Sequence, residues 1–158
     1  MKTRKLAALS LAFVCLLAAA PQLLAHCQVP CGIFEDQTRI EILREHVTTI
    51  EKSMNQAVEI GKQEKPNWNQ LVRWVNNKDV HADELTEIVT YYFMAQRIKP
   101  APEGNADAAK KYQHELTLLH HMMVHAMKAK QTTDLEHVEK LRDLIDAFEK
   151  SYIGDHTH

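Results

Sequence analysis

Between residues 35 and 153 the apolar positions fall on helical spacing. Ile40, Leu43, Val47, Ile50, Met54 and Ala57 recur at alternating steps of three and four, which winds them onto one stripe of an α-helix. Asp36 or Thr38 is placed to cap the start of that helix, and Gly61 followed by Pro66 marks its end. A second helical region extends from about Asn67 to Ile98. Its apolar positions are Trp68, Leu71, Val72, Val75, Leu85, Ile88, Val89 and Tyr92, and residues 76–79 are a candidate interruption. Residues 99–104, Lys-Pro-Ala-Pro-Glu-Gly, read as a loop. The third helix carries Ala109, Tyr112, Leu116, Leu119, Met123 and Ala126 on one face. The fourth, capped by Thr132 or Thr133, carries Val138, Leu141, Ile145, Phe148 and Tyr152. Four amphipathic helices with short links predict an all-α fold, an antiparallel four-helix bundle over residues 35–153. Residues 154–158 read as a flexible tail.

Composition agrees with that class. The 158 residues are of single-domain length, 45% are hydrophobic and 25% charged, so the chain can bury a core. Only 4 Gly and 5 Pro are present, too few for the turns of an all-β fold. The 19 basic and 21 acidic residues are intermixed, with no basic stripe to neutralise phosphates, which argues against nucleic acid as a partner.

The first 25 residues stand apart from the bundle. Lys2, Arg4 and Lys5 precede a charge-free, largely apolar run over residues 6–20, and a short segment ending in Ala25 follows. This order is that of a cleaved secretory signal, and the run is short for a membrane span. The expected mature protein is exported, periplasmic or extracellular, and free of the membrane. A retained anchor is the weaker reading. So is a lipoprotein attached through Cys27, because the bulky His26 stands where such processing needs a small residue. Cleavage after Ala25 removes three basic residues and no acidic one, which takes the net charge from −2 to −5, and it leaves Cys27 and Cys31 as the remaining thiols.

That cleavage has a chemical consequence. It makes His26 the first residue, with a free α-amine beside its imidazole, ahead of Cys27, Gln28, Val29, Pro30, Cys31 and Gly32. An α-amine of pKa about 7.7–8.0 gives up its proton to a metal far more readily than a lysine does. Once it binds, the Cys27 amide nitrogen closes a five-membered chelate. Amine, deprotonated amide and two thiolates form a planar N2S2 set that suits nickel(II) or copper(II), whereas zinc prefers a tetrahedron. Pro30 removes a competing amide donor, and Gly32 permits the turn that returns Cys31. Donor chemistry alone leaves nickel and copper open. A disulfide between Cys27 and Cys31 is the plain alternative in an exported protein, but it gives no reason for His26, Pro30 and Gly32 in this order.

The segment from His26 to Phe34, His-Cys-Gln-Val-Pro-Cys-Gly-Ile-Phe, resembles the amino-terminal nickel hook of nickel superoxide dismutases, His-Cys-x-x-Pro-Cys-Gly-x-Tyr directly after a processing site. Arg39-Ile40-Glu41 resembles the Arg-Ile-Glu that opens the family's first helix, one residue closer to the hook. The resemblance implies one nickel ion per subunit, ligated by the amine and axial imidazole of His26, the amide nitrogen and thiolate of Cys27 and the thiolate of Cys31. It implies Glu41 as the carboxylate that orients the His26 ring. It also implies a homohexamer with the hooks buried at subunit contacts, to which apolar positions such as Val72, Val89 and Phe93 would contribute. Two departures stand out. Phe34 replaces the family's Tyr near the open face of the metal, and Asn76-Asn77-Lys78 stands where the family often places an Arg behind the Glu.

The expected activity is therefore dismutation of superoxide to dioxygen and hydrogen peroxide through Ni(II)/Ni(III) cycling at His26, Cys27 and Cys31. The alternatives are an exported nickel- or copper-binding or delivery protein without turnover, and a disulfide-stapled interaction module. Elsewhere, His114, His121 and His125 share a face of the third helix. They read most simply as solvated side chains, since Glu115 is followed three residues on by Leu118 and forms no Glu-x-x-His pair. Met122, Met123, Trp68 and Trp74 read as packing residues. No nucleophile elbow, phosphate loop or dinucleotide fingerprint occurs.

Overall fold

The computed structural model describes residues 35–154. The leader, the hook of residues 26–34 and the last four residues lie outside the described residues. Four helices follow one another: α1 (Glu35–Gly61), α2 (Trp68–Glu87), α3 (Ala106–Gln131) and α4 (Glu136–Tyr152). A π-helical segment (Ile88–Arg97) continues α2 without a break. α1 packs on α2 and α4, and α3 packs on the same two, which closes an antiparallel four-helix ring. No strand is present among the described residues, and no described helix is long and apolar enough to cross a membrane.

The periodicity of the first and last helices translates directly into burial. Ile40, Leu43, Val47, Ile50, Met54 and Ala57 are buried along α1, as are Val138, Leu141, Ile145 and Phe148 along α4. Each fully buried Leu, Ile, Val or Phe contributes about 1.5–3 kcal/mol relative to exposure, so these two stripes supply much of the hydrophobic drive.

The caps differ from the sequence expectation. α1 already runs through Asp36 and Thr38, and the Asp36 carboxylate is used in tertiary contacts. α4 starts beyond Thr132 and Thr133 through two successive side-chain turns. Thr132 Oγ1 accepts from the Asp134 amide and Asp134 Oδ1 from the Glu136 amide, both at 3.0 Å. Asn67 and Asn105 cap α2 and α3 by accepting from the amides of Gln70 and Ala108.

Three further expectations are corrected. α2 is continuous through residues 76–79, because Asn77 donates to Ser53 Oγ of α1 at 2.9 Å and the buried Lys78 donates to the Ala129 carbonyl of α3 at 2.8 Å. Polar residues there make interhelical contacts instead of a break. The buried line of α3 is Glu115, Leu118, Leu119, Met122, Ala126 and Ala129, so Tyr112, Leu116 and Met123 lie at its edge. The first turns of α2 project past the core: Trp68 is 66% and Val72 56% exposed, whereas Val89 and Phe93 are fully buried. Trp68 is thus no packing residue, and Val89 and Phe93 offer nothing to another subunit. Trp74 is half-buried, with the Lys52 ammonium 6.0 Å from its ring centre.

Candidate metal centre and the bundle end beside it

Residues 26–34, where the sequence places the candidate ligands, precede the N-terminus of α1, so the described structure nearest to them along the chain is the bundle end that holds this terminus. Glu35, the first described residue, has φ = 64°, in the left-handed region that non-glycine residues enter at a cost of about 1–2 kcal/mol. The described chain therefore opens on a strained backbone position. A cleft of ≈ 660 Å³ opens here, lined among the described residues by Glu35, Asp36, Gln37, Tyr152 and Ile153.

Beneath the cleft lies an aromatic layer. The Phe93 ring meets Tyr92, Phe148 and Tyr152 edge-on at centroid distances of 5.1, 4.9 and 5.8 Å, and Tyr152 stacks on Phe148 at 5.3 Å. The π-helical segment bears on the group that covers Tyr92. Two residues five apart lie about 140° apart around an α-helix and come much closer to one face when bonds join i and i+5. Arg97 is thereby brought back over Tyr92, its guanidinium carbon 4.8 Å from the ring centre and its Nη2 donating to the Tyr92 hydroxyl at 3.0 Å.

All of these groups converge on Asp36. Tyr92 donates a short hydrogen bond to Oδ1, Tyr152 donates to Oδ2 at 2.7 Å, and Arg97 Nε lies 2.9 Å from Oδ1. Burial on its own would raise the Asp36 pKa. The two phenol hydrogen bonds and the Arg97 charge outweigh it and hold the carboxyl below the ordinary range. Both tyrosines are pushed up, by burial first and by the Asp36 carboxylate next, so they act as donors throughout the physiological range.

Glu41 occupies a different face of the same end. It is exposed, and its Oε1 accepts from Gln37 Nε2 at 3.0 Å and from Arg44 Nη1 at 3.3 Å. Arg44 Nη2 also reaches Asp146 at 2.7 Å and Glu149 at 2.5 Å on α4. The arginine beside Glu41 is therefore Arg44, one turn along the same helix. Asn77 and Lys78 are committed to the α1 and α3 contacts described above. His26, Cys27, Cys31 and Phe34 lie outside the described residues.

The histidines of α3 do not assemble as a triad. His114 and His121 are exposed, while His125 turns to α4, its Nδ1 3.4 Å from Nδ1 of His137. The described residues instead bring together His46, His81 and Glu84, between α1 and α2. No expectation from the sequence names this group, although His81-x-x-Glu84 is an i, i+3 donor pair, the spacing by which bundle helices present metal ligands.

The family model for nickel-containing superoxide dismutase matches residues 21–156, which takes in the hook, all four helices and the aromatic end. The chain belongs to the nickel-containing superoxide dismutase family. It is an oxidoreductase acting on superoxide, with nickel as its cofactor. Comparison with curated proteins and with solved structures finds no match. The donor chemistry bears on where a redox-active nickel would fit. Every cysteine of the chain precedes residue 35, so the bundle offers imidazole and carboxylate but no thiolate. Soft anionic sulfur is what a higher nickel oxidation state requires, and in this sequence only Cys15, Cys27 and Cys31 offer it.

Proposed function

We propose that this superoxide dismutase is exported, is cleaved after Ala25, and uses the new terminus as its redox centre. The observation that carries the reading is the coincidence of His-Cys-x-x-Pro-Cys-Gly with the end of a secretory leader, inside the span that the family model matches. The residues that would hold nickel are His26 through its α-amine and ring, Cys27 through its amide nitrogen and thiolate, and Cys31 through its thiolate. Bound there, nickel would supply the one-electron redox chemistry, as a Ni(II)/Ni(III) couple, that dismutation of superoxide to dioxygen and hydrogen peroxide requires.

The chain's own contributions follow from their chemistry. Thiolate and amidate donors carry negative charge that stabilises the higher oxidation state and brings the couple into reach of superoxide. Glu41 would accept from the His26 ring and orient it toward the metal, and Arg44, itself held by Asp146 and Glu149, donates to the Glu41 carboxylate. Phe34 keeps aromatic bulk near the open face but offers no hydroxyl, so protons reach the product from water. Thiolates that make peroxide need cover, and a homohexamer would supply it. Trp68, Val72 and Val75, one exposed stripe of α2, support that assembly.

The test is the amino terminus. A mature protein extended by one Ala before His26 should fold but neither bind nickel nor turn over superoxide, because its α-amine is displaced from the chelate. Normal nickel content and activity in the extended protein would remove the hook from the mechanism.

A further inference from the structure

A group of donors remains that the nickel hook does not use. His46, in the middle of α1, and His81, on the facing turn of α2, place their Nδ1 atoms 2.8 Å apart. One turn on from His81, Glu84 brings Oε2 to 3.5 Å from His46 Nδ1 and 3.3 Å from His81 Nδ1. The three donor atoms thus form a small triangle at the α1–α2 seam. Ligands about 2.0–2.1 Å from a tetrahedral zinc ion stand roughly 3.3–3.4 Å from one another, so the two nitrogen–oxygen edges already have that size. The nitrogen–nitrogen edge needs to open by about 0.5 Å, a small rotation of either ring.

We propose that His46, His81 and Glu84 form a second metal site, which holds a zinc-class divalent cation between α1 and α2 independently of the nickel hook.

Burial supports the chemistry. The His46 side chain is 12% exposed, His81 27% and Glu84 48%, a gradient from a packed interior ligand to a solvent-facing carboxylate. A cation can enter from the Glu84 side, and water can complete the fourth position. Burial lowers the His46 pKa, with the His81 imidazole pushing the same way and Glu84 and Glu45 opposing, so the ring is neutral at neutral pH as a ligand must be. Two neutral imidazoles and one carboxylate leave a bound divalent cation with one net positive charge. This donor set suits zinc and lacks the thiolates that would carry redox cycling. Without a cation, the facing Nδ1 atoms share one proton in a ring-to-ring hydrogen bond. Binding needs only that this proton move to the Nε2 tautomer, with no net loss of protons.

The physical consequence is a clip. His46 and His81 are 35 residues apart, and Glu84 secures the α2 side, so a cation here joins the two helices that bracket the first link. The His125–His137 pair forms no such triad among the described residues.

Zinc titration of the full mature chain carrying Cys27→Ser and Cys31→Ser separates this site from the hook thiolates. Calorimetry should give one zinc per chain with micromolar or tighter affinity, and zinc should raise the thermal midpoint. Cobalt(II) in its place should show the visible bands of a four-coordinate site. In the same background, His81→Ala should weaken zinc binding at least 100-fold and Glu84→Gln by roughly 10-fold or more, whereas His125→Ala should leave it unchanged. His81 and Glu84 are partly exposed, so both variants should keep the helical circular dichroism even if His46→Ala does not. Nickel-loaded His81→Ala with an intact hook should dismutate superoxide as the parent does. Absence of zinc binding in the Cys-free chain, or binding that survives His81→Ala and Glu84→Gln, would overturn the proposal.

Discussion

Tyr152 donates a 2.7 Å hydrogen bond to Asp36 Oδ2, so the last turn of α4 is tied to the first turn of α1 across 116 residues. The bond lies two residues beyond the hook. Tyr92 and Arg97, from the end of the π-helical segment, complete the same knot, so three elements converge on one carboxylate. Under the proposed function, Asp36 would give a terminal redox centre a fixed point on the bundle, one residue after Glu35 with its positive φ.

Asp36→Asn should therefore destabilise the bundle. It removes a charged acceptor from two tyrosines and an arginine while leaving an isosteric side chain, and at 30% exposure the cost is about 1–2 kcal/mol. The pH dependence has a definite sign. The folded Asp36 pKa lies below the unfolded value of about 3.9, so its contribution is full above that value and is lost as pH falls through the folded pKa. Chemical denaturation of the two proteins should differ at pH 7 and converge in strong acid. An equal difference at every pH would exclude the charge as its source.

Lys78→Met offers a second test, of the bundle alone. The ammonium is buried and donates to the carbonyls of Ala129 and Lys130, in the last turn of α3 where the helix has no further amides to offer. Methionine fills the same volume but leaves both carbonyls without this donor, at about 2–3 kcal/mol. The thermal midpoint should fall with superoxide turnover per bound nickel unchanged, since no contact of Lys78 reaches the hook end. A variant as stable as the parent would mean that water reaches these carbonyls.

How much of this was legible in the sequence varies along the chain. The α1 and α4 stripes are simple because each helix buries one uninterrupted apolar line. α2 misleads in two places. Its N-terminal apolar residues extend past the core, and Lys78 and Asn77 look like a break although they make interhelical bonds. Periodicity registers apolar side chains and cannot see a lysine spent on another helix's carbonyls. The register of α3 shifts because Glu115 takes a core position, held by Ser151 Oγ at 3.2 Å. The chemistry expected of the hook is local in sequence, and residues 26–34 lie outside the described residues. The sequence does not point to Arg44 as Glu41's neighbour because the expected position lies in α2, nor to the Asp36 knot because its members come from three separate elements, with Tyr92 and Arg97 in the π-helical segment and Tyr152 on α4.

Ligand substitutions should separate the roles of the hook and its support. Cys27→Ser or Cys31→Ser exchanges a thiolate for a hydroxyl that stays protonated, and nickel should be lost. His26→Gln keeps the amine, so metal should remain while turnover falls sharply. Glu41→Gln should retain nickel and lower activity by about 10-fold or more, the usual scale for a partner that orients a ligand. Arg44→Gln, which leaves the Glu41 carboxylate held by Gln37 alone, should give a smaller loss in the same direction. Metal content by mass spectrometry and dismutase rates decide the matter, and unchanged kinetics in Glu41→Gln would remove it from the centre.

The last prediction concerns assembly. Trp68, Val72 and Val75 fall at i, i+4 and i+7 on α2, one continuous stripe in which Val75 is 38% exposed and the other two more so. Nothing in the monomer depends on them, so Val72→Asp should change bundle stability by no more than about 0.5 kcal/mol. At a subunit contact the effect is different. A buried Trp anchor is commonly worth 2 kcal/mol or more, and a carboxylate without a partner among apolar side chains is costly. Val72→Asp and Trp68→Ala should therefore shift the nickel-loaded mature protein from hexamer towards smaller species in light scattering, with their circular dichroism and melting unchanged. Thiolate oxidation during turnover should accelerate in step, because the hook then loses its cover. A parent protein that remains monomeric and fully active at low concentration would mean that the hook is protected within its own chain and that the exposed stripe serves no contact between subunits.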